Sequence, residues 1–345
     1  MKRITDILIL TAVLILTGCK GVSSLEPETG TSAPRPIEFG ISSDLTVGSK
    51  AVIDNTNYKA HGFTALGVLT VNDADAGRQV FEENTVVTYN TTAASWTYSP
   101  LRYWQPGSYV FAGVMPGTGY TATFDAGNTL TLTFADGGFD LASTQTDLMV
   151  AFDKETVTST SAAGPVDFNF AHQMALVTIE GASKDPNTPG ITVNEIKVYG
   201  NSKKTAGNMV FTYDKTANTF TSSYGLDALS TSTDVYKTIT RPDDLTGAAA
   251  TADWTLAYNT YDVLVPELLV FPQECEFTIV VSYTEDESQK TMTGTLPADW
   301  EAGKKYTYSF SLAKDITFKV NVAQWRSAEV SDGDTTDSDN YIDII

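Results

Sequence analysis

Apolar and polar side chains alternate along much of the chain, and the pattern is cleanest in residues 120–124 (YTATF), 130–134 (LTLTF), 306–312 (YTYSFSL) and 318–322 (FKVNV). Successive side chains of a strand point to opposite faces, so this period of two predicts strands with one buried face. Turn signals separate them: Pro106-Gly107, Pro116-Gly117, Asp136-Gly137-Gly138, Pro189-Gly190 and Ala302-Gly303. Frequent Thr, Val, Tyr and Phe with closely spaced turns imply antiparallel β-sandwiches. No long helical period appears. Residues 72–84 have room for a turn or two of helix, but their Asp, Gly and Asn content suits a loop equally well.

Residues 156–165 (TVTSTSAAGP) lack a bulky anchor apart from Val157 and read as a linker. They divide the chain into an N-terminal sandwich, 36–158, and a C-terminal one, 159–325. Residues 185–190 form a polar turn, and 241–253 an exposed loop of small and polar residues. Residues 326–345 differ in kind. An acidic stretch, SAEVSDGDTTDSDN, runs into an apolar tip of Tyr341, Ile342, Asp343, Ile344 and Ile345.

The opening residues add an export signal. Lys2 and Arg3 precede an apolar run over 7–16, followed by Thr17, Gly18 and Cys19. This is the layout of a signal peptide, 1–18. Residues 16–19 resemble the bacterial lipobox, whose cysteine is diacylated before the preceding peptide is removed. Lipid on Cys19 then holds residues 19–35 as a linker to a membrane. No other stretch is long and apolar enough to span a bilayer, so lipid is the expected anchor. With Cys19 acylated, Cys275 has no partner for an internal disulfide.

Charge narrows the partners. The chain has 22 basic and 42 acidic residues, a net charge of −20, which becomes −21 once 1–18 are removed. Such a surface repels phosphate, so nucleic acid is not an expected partner.

Catalytic chemistry has no visible home. Glu82-Glu83 and Asp243-Asp244 sit in contexts that would not split their pKa values. His61 and His172 lack neighbouring ligands at metal spacing, and His172, following Phe168 and Phe170, reads as a structural histidine within the sandwich. Asp332, Asp334, Asp337 and Asp339 lack the glycine placement and distal glutamate of a calcium loop. There is no nucleophile elbow, phosphate loop or zinc-helix motif. The expectation is a non-enzyme with no metal and no cofactor beyond lipid on Cys19. Trp96, Tyr98, Tyr103, Trp104 and Tyr109 could stack on sugars, though on alternating strands they suit a core better.

The ordered set of motifs resembles the fimbrillin family, the subunits of Bacteroidales type V pili. Its carriers are Ile37-Glu38-Phe39, Ser49-Lys50-Ala51, residues 96–104 (WTYSPLRYW), 109–116 (YVFAGVMP), 147–151 (DLMVA), 166–175 (VDFNFAHQMA), 269–273 (LVFPQ), 300–308 (WEAGKKYTY) and 322–325 (VAQW). The resemblance implies two tandem transthyretin-like β-sandwich domains, export as an outer-membrane lipoprotein, and surface exposure in a pilus. It also implies assembly. A trypsin-like protease cuts near the N-terminus, the first strand leaves, and a neighbouring subunit's strand fills the groove. Partners would be other pilus subunits, with a host or bacterial surface ligand as the adhesion target.

The residues fit that scheme physically. Ile37, Phe39 and Ile41 would face the core from the first strand. Tyr341, Ile342, Ile344 and Ile345 make a comparable candidate donor strand, and twenty extended residues reach about 66 Å. Cleavage after Lys50 frees the whole first strand, whereas cleavage after Arg35 meets Pro36. The competing reading is a surface glycan-binding lipoprotein using the aromatics of 96–104. It needs rings exposed on one rim, while the pilus reading needs them packed beneath the first strand.

Overall fold

A computed structural model describes residues 34–42, 53–54, 56–71, 77–81, 85–134, 145–158, 163–184, 186, 191–199, 203–229, 235–240, 254–285, 287–313, 316–324 and 342–344. In chain order the strands begin with β1 (Phe39–Ile41), β2 (Phe63–Thr70), β3 (Arg78–Gln79), β4 (Thr85–Asn90), β5 (Ser95–Thr97), β6 (Gly107–Met115), β7 (Thr121–Phe124) and β8 (Thr129–Phe134). Then come β9 (Met149–Val157), β10 (Val166–Phe168), β11 (Ala171–His172), β12 (Ala175–Ser183), β13 (Ile191–Tyr199), β14 (Lys203–Asp214), β15 (Thr219–Leu229) and β16 (Val235–Thr240). The last are β17 (Thr255–Leu256), β18 (Asp262–Val270), β19 (Gln273–Glu285), β20 (Ser288–Trp300), β21 (Lys304–Leu312), β22 (Ile316–Gln324) and β23 (Ile342–Ile344). The helix α1 (Tyr58–His61) has four residues. The protein is all-β, and its sheets pack face to face as sandwiches.

One large sheet runs β11-β9-β6-β2-β4-β5, with β3 also on β2. Two five-stranded sheets follow, β18-β12-β21-β22-β23 and β16-β13-β19-β20 with β17 on β13, and a four-stranded sheet runs β15-β14-β8-β7. Most pairings are antiparallel, as the alternation predicts. Two are not: β1 runs parallel to β10, and β12 parallel to β21. Parallel neighbours need long connections, and here each pair is joined by more than a hundred residues, a separation that local pattern does not reveal. Within 72–84 the described residues include the strand β3 on the edge of β2, in place of a helical turn. Residues 241–253 lie outside the described residues. Pairings cross the 158/159 division at β1–β10, β9–β11 and β8–β14, so strands from before and after it share sheets.

The central strands explain the longest apolar runs. Phe63, Ala65 and Leu69 of β2 enter one core, while Leu66 and Val68 enter another. Likewise Tyr109, Phe111 and Met115 of β6 face the first core, and Val110, Ala112 and Val114 the second. A sheet buried on both faces reads as continuous hydrophobicity rather than alternation. The first core is aromatic and packed, and its sheet carries glycine where rings press closest. A Cβ on Gly113 would stand 2.9 Å from the Phe168 ring, and one on Gly67 2.7 Å from Phe111.

Candidate functional site: the seat of the first strand

Residues 35–42 lie between two segments that are distant in sequence. On one side, Ile37 N–H donates to Arg102 O at 2.8 Å, Trp104 N–H donates to Arg35 O at 3.0 Å, and Pro36 bridges Tyr103 in antiparallel fashion. On the other, β1 runs parallel to β10 with Phe39 opposite Val166, Val166 N–H donates to Glu38 O at 2.8 Å, and Ser42 N–H donates to Phe168 O at 3.1 Å. The Tyr98 hydroxyl donates to Ile37 O at 2.8 Å and accepts from Arg102 N–H at 3.3 Å. Burial pushes that hydroxyl above the usual tyrosine range, and the backbone and charge of Arg102 pull it partly back. It therefore stays protonated and able to donate.

The side chains do most of the holding. Ile37 is 1% exposed and Phe39 7%, and half-buried Ile41 packs against the same core. The Phe39 ring meets Phe63 edge-on at 5.4 Å, Phe81 at 5.6 Å and Tyr98 at 5.6 Å, and stacks on Phe168 at 5.7 Å. Burying an Ile or Phe side chain contributes about 1.5–3 kcal/mol, and each well-placed ring pair a further ~0.5–1.5 kcal/mol. Yet β1 has three residues and belongs only to a two-stranded sheet with β10. Its loss would leave the large sheet's hydrogen bonds intact while opening an aromatic groove.

The other candidates fall in different places. Arg35 is pinned: its guanidinium donates to Ala163 O and lies 3.7 Å from Glu38, and its carbonyl is held by Trp104. A protease needs an extended, unpaired segment, so this bond is poorly presented. Cys19 and Lys50 lie outside the described residues, as do Tyr341 and Ile345. Ile342 and Ile344 belong to β23, which pairs antiparallel with the chain's own β22, Ile342 opposite Val320 and Ile344 opposite Phe318. The tip is thus an edge strand on its own protein.

Beside the seat lies a buried polar contact that pattern reading placed only in part. Asp147 Oδ2 accepts Ile53 N–H at 3.0 Å and sits 2.8 Å from His172 Nδ1, while Asp147 Oδ1 has no hydrogen-bond partner. Asp147 is 1% exposed and His172 8%. The pair ties the chain at Ile53 to the entrance of β9 and to β11. The sequence signal for it is slight: Asp147 directly precedes the apolar run 148–151, and His172 follows the alternating stretch 166–170. His61 is exposed on α1. Among the described residues no three His, Cys, Asp or Glu side chains converge as a metal site.

The aromatics of 96–109 mostly turn inward. Trp104 and Tyr109 are 2% exposed and meet edge-on at 5.0 Å. Trp96 and Tyr98 are half-buried against Phe63 and Phe39, leaving Tyr103, 47% exposed, as the open ring of the five.

A fimbrillin-like family model matches residues 50–325. No curated protein sequence matches the chain. Among solved structures, a candidate cell adhesion protein from Bacteroides ovatus is 16% identical, with 86% of this chain and 99% of that one covered and a TM-score of 0.48. A counterpart from Bacteroides uniformis is 15% identical, with 86% and 100% covered and a TM-score of 0.45. A fimbrial assembly protein from Parabacteroides distasonis is 11% identical, with 85% and 99% covered and a TM-score of 0.40.

Proposed function

Because the chain belongs to the fimbrillin-like family, we propose that it is a structural or accessory subunit of a cell-surface pilus, serving adhesion and assembled by donor-strand exchange. It is exported as a lipoprotein on Cys19, reaches the outer membrane, and is cut after Lys50. The cut releases β1, and a neighbouring subunit supplies Tyr341 to Ile345 to the emptied groove. The observation that carries this reading is the insertion of Phe39, from a three-residue strand outside the large sheet, and of Ile37 just before that strand, into an aromatic core. Such a seat is specific in its side-chain pockets and general in its backbone, which suits strand addition. The inward packing of Trp104 and Tyr109 supports this over the glycan-binding alternative, which needs several exposed rings.

The test is limited trypsin digestion of residues 20–345 carrying Arg326→Gln, so that the tail survives, with terminal masses and oligomer size followed together. The expected result is cleavage at Lys50, loss of the first strand and a ladder of oligomers that deletion of 341–345 abolishes. A cut protein that stays monomeric or unfolds would overturn strand exchange for this chain.

A further inference from the structure

The buried carboxylate beside the seat is only half used. Asp147 is 1% exposed, and its Oδ2 meets both the Ile53 N–H at 3.0 Å and His172 Nδ1 at 2.8 Å. Among the described residues nothing donates to its Oδ1. A buried carboxylate oxygen without a donor costs stability, so one held in this way marks a place for an N–H or cationic partner.

Position along the chain identifies that partner. Ile53 is 1% exposed and Asp54 fully buried, and Asp54 Oδ1 accepts the Thr56 N–H at 2.7 Å and the Asn57 N–H at 3.1 Å, so the chain is fixed from Ile53 onward into α1. Hydrolysis after Lys50 puts the hydroxyl of water on the Lys50 carbonyl carbon and its other hydrogen on the Ala51 nitrogen. The new acid then passes its proton to that nitrogen, leaving a carboxylate on Lys50 and an ammonium on Ala51. Ala51 stands two residues before Ile53, a reach of at most about 7 Å, and the Ile53 N–H already lies against the same carboxylate. We propose that the cut creates the ligand for this oxygen: the α-ammonium of Ala51 seats on Asp147 Oδ1 and braces the β10 side of the emptied seat. The proposal rests on cleavage after Lys50 and adds a consequence of it. Asp147 holds His172 of β11, which pairs with β9 through two residues, and β11 closely follows β10, whose sheet partner is β1. When β1 leaves, β10 loses that partner while Asp147 gains one. A charge-assisted hydrogen bond is stronger than a neutral one, and an ammonium tethered two residues from its anchor needs little ordering to form it.

The experiment compares mature chains, residues 20–345 in the Arg326→Gln background, cut at Lys50 and labelled with trace acetic anhydride near neutral pH. Acylation of the new terminus is read by mass spectrometry. Only a free amine reacts, and an ammonium held by a carboxylate keeps its proton, so the native terminus should react about tenfold or more slowly than that of Asp147→Asn. Since that substitution also touches the fold, a second variant leaves Asp147 in place. Two glycines inserted between Lys50 and Ala51 carry the new terminus out of register, and it too should react at the faster rate. In the same cut chains, amide exchange over residues 166–173 should be slower in the native chain than in the insertion variant. Equal acylation of the three termini overturns the proposal and leaves strand exchange standing, because the readout needs no oligomer. Slow native acylation with exchange over 166–173 unchanged by the insertion overturns the brace. A chain that trypsin does not cut at Lys50 never forms the ligand, and the proposed assembly route fails with it.

Discussion

The two terminal strands of this protein are held in opposite ways. β1 has few backbone partners, but it and the residues just before it send Phe39 and Ile37 into an aromatic core, between the 102–104 segment and β10. β23 has a backbone partner on one side only, at the edge of the sheet β18-β12-β21-β22-β23. A strand that fills a core leaves a cavity when removed, whereas an edge strand leaves solvated backbone. Removal of the first strand therefore costs core burial, while removal of β23 costs edge hydrogen bonds. On the proposed strand exchange, that asymmetry would give assembly a direction, with the seat protected until cleavage and the donor strand at a sheet edge.

The sharpest way to break this comparison is Phe39→Ala. Loss of a ring from a core that cannot collapse around it should destabilise by about 3–5 kcal/mol, measured by urea unfolding. A cost below about 1 kcal/mol would mean that the groove already accommodates an empty site. Deleting 341–345 probes the other strand. Its expected effect is about 1–2 kcal/mol, the net worth of a few edge hydrogen bonds, with oligomer formation lost. A destabilisation matching that of Phe39→Ala would show β23 to be as integral as β1.

The smallest effect concerns the strand that β1 leans on. Asp153 Oδ2 accepts Asp167 N–H from β10 at 3.0 Å, and burial followed by the Asp167 charge raises the Asp153 pKa above the usual 3.8, against the pull of two backbone hydrogen bonds. The native state then holds this proton more tightly than the unfolded chain. Stability from this group accordingly falls as pH rises from 3.8 through the raised native pKa, and the cost is full above it. Asp153→Asn should be the more stable protein at neutral pH, and the gap should close on acidification below about pH 4. Thermal unfolding of both proteins across that range checks the sign. A gap that widens at low pH would remove the burial argument.

Much of this architecture is legible without coordinates. Leu130, Leu132 and Phe134 alternate with polar residues because one face meets a core, and β8 lies where the alternation puts it; β21 also lies where Tyr306, Tyr308 and Phe310 put it, but the serines between them, Ser309 and Ser311, are buried as well. Where both faces are buried, as in β2 and β6, periodicity marks an apolar run but cannot say that its odd and even residues serve different cores. The same limit applies to the seat. Placing Ile37, Phe39 and Ile41 on one side of a strand follows from period two alone. Finding that β10 runs parallel beside them, that Tyr98 caps Ile37, and that Asp147 gathers Ile53 and His172 requires contacts across 25 to 127 residues of chain.

The amino-acid sequence by itself determined that the chain is all-β, that it is acidic, and that it bears the ordered motifs of its family, because these depend on local side-chain pattern and on composition. Only the tertiary structure decided which strands are neighbours, and that the first strand is a plug while the last is an edge. Pairing is fixed by long-range burial, and a residue's neighbours in space leave no mark on its neighbours in sequence.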